Sequence, residues 1–151
     1  MGLRSAEPGG SSIDTLSYPV VAFRDSYIYV AREPDDLRIW HRSEFRRTAG
    51  EPWFFADSTG SVFRATSWSK ARVPRSWRGL GSLLLGSLFI EPTLKFERSV
   101  TPPELAEQIG RIIITYGKYG DSYGDDVQGL RDDLAKVKSF DDFFRILPRF
   151  P

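Results

Sequence analysis

The chain of 151 residues has no cysteine and a single histidine. The first absence excludes disulfides, thiolate zinc sites, iron–sulfur clusters and a cysteine nucleophile. The second excludes any site built on two or more histidines. Long hydrophobic runs are missing as well. The longest, Gly79 to Ile90, is broken by Gly and Ser after a few residues, whereas a membrane helix needs about 20 apolar residues in a row. The opening MGLRSAEPGG lacks the apolar core of a signal peptide. Ala6 breaks the myristoylation pattern that Gly2 begins. The expectation is a cytoplasmic chain with no membrane partner, no metal and no cofactor.

What is present matches a soluble domain. Apolar residues make up 40% and charged residues 27%, close to globular averages. The length suits one domain with a real core. The net charge of +1 hides an asymmetry. From Arg38 to Arg78, nine Arg or Lys face three acids. From Asp121 to Asp142, seven Asp face Arg131, Lys136 and Lys138. Such bipolarity steers a charged partner to one side.

Residues 1–15 are small and polar without periodicity and are expected to be disordered, leaving 16–151 as a single domain. Residues 18–31 hold two β-rich runs around an Arg24-Asp25-Ser26 turn, with Tyr27 and Tyr29 alternating with Ile28 and Val30. Leu37 to Trp40 is a short strand candidate, and Ser43 to Arg47 a helical turn. Trp53 to Thr66 reads as a hairpin about Asp57-Ser58-Thr59-Gly60, where glycine is free to take positive φ. Residues 67–82 read as a loop or a charged irregular edge strand. Leu83 to Ile90 and Thr93 to Arg98 are two strand candidates with a break at Glu91-Pro92. In the second, Leu94 and Phe96 alternate with Lys95 and Glu97.

Near residue 100 the period changes. Thr101-Pro102-Pro103-Glu104 is a capping box with proline at the first helical position. Leu105, Ile109, Ile112 and Tyr116 then form one apolar stripe, and Gly117 and Gly120 end the helix. A second helix is expected over Gln128–Val137. A third, capped by Ser139, buries Phe140, Phe143, Phe144 and Leu147 and stops at Pro148. Strands first and helices last make an α+β fold: an N-terminal antiparallel sheet covered by two or three C-terminal helices.

No stretch carries a reaction motif. His41 lies near Ser43 and Glu44, which suggests hydrolytic chemistry, but the spacing matches no local motif and G-x-S-x-G is missing. Asp121, Asp125 and Asp126 are rich in oxygen, yet Tyr123 and Asp126 occupy positions that a calcium loop reserves for other residues. Asp125 suits a helix N-cap instead. Gly79-Leu80-Gly81 is only a fragment of a phosphate loop. Two recognition surfaces remain. Tyr119, Asp121, Tyr123, Asp125 and Asp126 lie in YGKYGDSYGDD, where tyrosine supplies contact area at low entropy cost and aspartate steers a cationic partner. Trp68, Lys70, Arg72, Arg75, Trp77 and Arg78 interleave cations with stacking aromatics, as nucleic-acid binding requires. The alternative for these is tryptophans at the core edge and arginines reaching outward.

The hairpin around Phe54-Phe55-Ala56-Asp57-Ser58-Thr59-Gly60-Ser61-Val62-Phe63, the Leu94-Lys95-Phe96-Glu97 strand, the Thr101-Pro102-Pro103-Glu104-Leu105 helix start and the closing Ser139-Phe140-Asp141-Asp142-Phe143-Phe144 helix together give an arrangement that resembles the small α+β immunity proteins of bacterial polymorphic-toxin and contact-dependent inhibition systems. The resemblance covers residues 18–147 in organisation and carries no shared catalytic motif. It implies a non-enzymatic protein whose partner is a cognate protein toxin. A nucleic-acid-associated regulator using the Trp/Arg patch is the alternative expectation.

Overall fold

The computed structural model describes residues 10–25, 27–47, 50–72, 86–116 and 127–147. Along them run β1 (Gly10–Ser11), β2 (Val20–Arg24), β3 (Tyr27–Ala31), β4 (Ile39–His41), α1 (Arg42–Arg47), β5 (Phe54–Ala56), β6 (Ser61–Lys70), β7 (Ser87–Ser99), α2 (Pro102–Tyr116), α3 (Val127–Ala135) and α4 (Phe140–Ile146). The described strands form one antiparallel sheet in the order β1-β7-β6-β5-β2-β3, with β4 joined to β7. The fold is α+β, as the change of period at residue 100 predicts. The strand path is open: among the described residues no ladder joins β3 to β1 or β4.

β2 is buried at every residue because it lies inside the sheet with apolar cover on both faces. Val21 and Phe23 join Ile28, Val30, Ala56 and Val62 under the helices. Val20 and Ala22 point the other way, into a second core with Leu37, Trp40, Trp53, Phe55 and Leu94. The alternation expected of β3 holds: Ile28 and Val30 face the helices, Tyr27 and Tyr29 the second core. That second core is aromatic. Trp40 sits 4.9 Å from Trp53 and 5.3 Å from Trp68, both edge to face, and its indole N–H donates to the Leu37 carbonyl at 2.9 Å.

The β5–β6 turn is built on Asp57. Its buried carboxylate accepts from the amides of Ser17, Thr59 and Ser61 and from the Thr59 hydroxyl. Gly60 then takes φ +88°, and a Cβ there would lie 2.5 Å from the Val100 carbonyl oxygen and 2.6 Å from the Phe140 ring. No other residue fits this turn between β7 and α4.

The helices start where their caps predict. The Thr101 amide donates to Glu104 Oε1 at 2.9 Å, and the Glu104 amide to Thr101 Oγ1 at 3.3 Å. Ser139 Oγ accepts from the Asp142 amide at 3.1 Å. Leu105, Ile109 and Ile112 of α2, Leu130 and Leu134 of α3, Val137 beyond it, and Phe143 and Phe144 of α4 are buried over the sheet.

Three expectations need correction. The segment expected to be disordered through residue 15 is ordered from Gly10: β1 pairs with β7, and Ile13 is fully buried in the second core. The break at Glu91-Pro92 does not occur; β7 runs unbroken through it. Pro92 falls between the residues that β4 pairs (87–89) and those that β1 pairs (94–95), so among the described residues one flank of β7 has no partner there and the missing amide costs least. Finally, β6 does not end at Thr66. It continues to Lys70, paired with β7 through register shifts at Val62/Phe63 and Ala65/Ser67.

Candidate partner-binding surface

The tyrosine–aspartate stretch, with Tyr119, Asp121, Tyr123, Asp125 and Asp126, lies outside the described residues, between α2 and α3. So do Arg75, Trp77 and Arg78 of the basic patch and the Gly79-Leu80-Gly81 fragment. The described members of the patch separate by role. Lys70 and Arg72 are exposed. Trp68 is half-buried in the second core, 4.9 Å from Phe45 and 5.3 Å from Trp40, both edge to face. Its ring packs at the core edge, as the alternative reading of the patch expects. His41 is exposed at the end of β4, in register with Ser87. Among the described residues no group of three His, Asp or Glu is placed to hold a metal ion, and no helix is long and apolar enough to cross a membrane.

The register of the sheet assembles a surface that no local stretch displays. Ile28, Phe23, Phe54, Arg64, Lys95 and Gly10 are successive partners across β3, β2, β5, β6, β7 and β1. Partners share a face, with Cβ atoms about 5 Å apart. Ile28, Phe23 and Phe54 lie under the helices. The row therefore turns from apolar to cationic between β5 and β6, where the helical cover ends. Arg64 and Lys95 are both exposed, and among the described residues neither has an ion-pair partner. Like charges placed directly opposite are destabilising.

A concavity of about 260 Å³ marks the boundary, with Phe23, Phe54, Gln108, Arg111 and Ile112 in its lining. Phe23 and Phe54 stack at 5.7 Å to form its floor. Arg111 of its lining pairs with Glu107 at 2.8 Å, and Gln108 of its lining accepts from Arg98 at 2.8 Å. On the opposite face of β7, Phe96 is 50% exposed and meets Phe63 edge to face at 5.8 Å. Leu94 is buried while Phe96 is not, because the second core ends between them. All five residues from Lys95 to Ser99 are exposed.

Other charged groups hold the fold together. Arg38 bonds Asp14 at 2.8 Å and Asp35 at 3.0 Å and lies 3.5 Å from Glu91, tying the N-terminal segment to β7. Burial opposes its charge, but the bonds to Asp14 and Asp35 and the fields of Asp14 and Glu91 outweigh that and raise its pKa. Burial, then the nearby Asp14 carboxylate, pushes the Tyr18 hydroxyl well above the usual phenol range. It donates to the Ile13 carbonyl at 2.8 Å. Arg24, buried 5.0 Å over the Trp53 ring, pairs with Glu51. A larger groove of about 480 Å³ runs between α2 and α3 past Ala106, Gly110 and Leu134. There the small Gly110 admits Leu134 closely.

Sequence reasoning missed the Arg64–Lys95 pair because the two residues stand far apart in the chain and only register unites them. The signal available was the strand alternation on each side. The chain matches no protein-family model, no curated protein and no solved structure.

Proposed function

We propose that the chain is a non-enzymatic immunity protein that binds one cognate bacterial toxin and covers its active surface. The observation that supports this reading is the exposed end of β7. It offers a half-exposed aromatic, Phe96, and a cation, Lys95, that has no ion-pair partner among the described residues, on opposite faces of a strand held by β6 throughout and by β1 up to Lys95. Rigidly placed aromatics and arginines are the usual anchors of tight protein complexes. The Tyr119, Asp121, Tyr123, Asp125 and Asp126 stretch remains a second contact element in this proposal. The nucleic-acid reading keeps Lys70 and Arg72, while Trp68 packs at the edge of the second core, which leaves Trp77, outside the described residues, as its other stacking candidate.

The test is affinity capture of the tagged chain from its own cells, with and without nuclease. The expected result is one stoichiometric protein that survives nuclease, is toxic when expressed alone and is neutralised by this chain. A nuclease-sensitive mixture that dissociates steeply with salt would overturn the proposal in favour of nucleic acid.

A further inference from the structure

We infer that the cationic half of the Ile28–Lys95 row receives carboxylates of an acidic segment of a protein partner, with Arg64 and Lys95 as the two contact groups. The inference names the chemistry of the partner and rests on the binding role proposed above.

Three observations carry it. First, Arg64 and Lys95 are register partners, exposed, and without an ion-pair partner among the described residues. Their mutual repulsion works against the sheet, and a bound anion relieves it. Second, of the neighbouring cations Arg111 is paired with Glu107, whereas Arg98 is hydrogen-bonded to the neutral Gln108 amide and keeps its charge. A cationic cluster this small suits the carboxylates of a short acidic segment rather than a long phosphate backbone. Third, among the described residues the face carrying these cations has no aromatic that is not stacked on another ring. Phe23 and Phe54 stack on each other beside α2, and the exposed Phe96 belongs to the other face, with Phe63. A single-stranded nucleic acid would find charge there and nothing to stack on. The concavity floored by Phe23 and Phe54 lies one strand from Arg64; it has room for the methylene stem of a glutamate, while Asp25 in its lining keeps the carboxylate itself outside, toward Arg64 and Lys95.

The experiment is titration of the full isotope-labelled chain with acetylated octaglutamate and with octathymidylate, followed by amide NMR at low ionic strength, where surface charges act over about 20 Å or more. Octaglutamate is expected to shift Arg64, Lys95 and the residues lining the concavity, and to bind more tightly than octathymidylate. Lys95→Glu should weaken it by about tenfold, because an attractive contact becomes a repulsive one. Lys136→Glu makes the same change in net charge at an exposed position beyond α3 and should leave the affinity unchanged. Equal loss in both variants, tighter binding of octathymidylate, or shifts scattered over the surface would each overturn the inference. The two proposals fail separately. A captured toxin whose affinity ignores Lys95→Glu sinks the acidic-segment contact and leaves the immunity reading. Octaglutamate binding at Arg64 and Lys95 with no toxin captured does the reverse.

Discussion

One row of side chains crosses the sheet, and its two halves obey different rules. Over β3, β2 and β5 it consists of Ile28, Phe23 and Phe54, stacked beneath α2. Over β6 and β7 it consists of Arg64 and Lys95, open to solvent. The backbone ladder is continuous across the boundary, so hydrogen bonding does not separate the halves. Helical cover does. Where α2 lies on the sheet, burial of aromatic area stabilises the fold. Where it does not, the row carries repelling cations, and on the opposite face, past the edge of the second core, Phe96 is half exposed; these groups contribute little to folding and are available for recognition.

The comparison breaks most readily at its two phenylalanines. Phe23→Ala should destabilise the chain by about 3–5 kcal/mol, since Phe23 is fully buried and stacked on Phe54. Phe96→Ala should cost under about 1 kcal/mol, because it buries little area to lose. Denaturant titrations of both variants measure the contrast, and similar losses would show that the two halves are not energetically distinct. Gly60→Ala comes next. It forces a side chain into a positive-φ turn against the Val100 carbonyl and the Phe140 ring, where the β5–β6 turn meets α4. A loss on the order of 3 kcal/mol is expected in the same titration.

Lys95→Glu sharpens the comparison from the other side. Opposite Arg64, a carboxylate turns repulsion into a cross-strand ion pair and should raise stability by about 0.5 kcal/mol. The gain should shrink in high salt. Unchanged or lower stability would mean that the repulsion is already relieved within the chain. The smallest effect lies at the start of α2. The hydrogen bonds from the Thr101 amide and hydroxyl region hold the Glu104 carboxyl below the usual carboxylate range. A folded-state pKa below the unfolded value means that this stabilisation is complete at neutral pH and is lost as pH falls through the lowered value. The thermal stabilities of the parent chain and Glu104→Gln should therefore differ near neutrality and converge as the pH falls through and below the ordinary carboxylate range.

Local chemistry made much of the fold legible. The β2–β3 hairpin, the Asp57–Gly60 turn, the Thr101–Glu104 box and the Ser139 cap each involve residues close to one another in the chain, and each forms as its residue types predict. The misreadings share a cause. Pro92 looked like a break because proline lacks an amide, yet that amide is dispensable where one flank of β7 has no partner among the described residues. Trp68 packs at the core edge, the alternative that its surrounding lysine and arginine left open, because its neighbours in space are Trp40 and Phe45. Residues 10–15 looked disordered because they are small and polar, but β7 supplies them with a strand to pair with, and the second core takes Ile13.

The sequence by itself determined the order of strands and helices, the turns and the helix starts, because caps, glycines and hydrophobic periods act over a few residues. Only the tertiary structure decided which cations share a face. The pairing of Arg64 with Lys95 depends on the register of β6 against β7, which two bulges reset. It depends also on where α2 stops covering the sheet, and both are settled by packing between segments far apart in the chain.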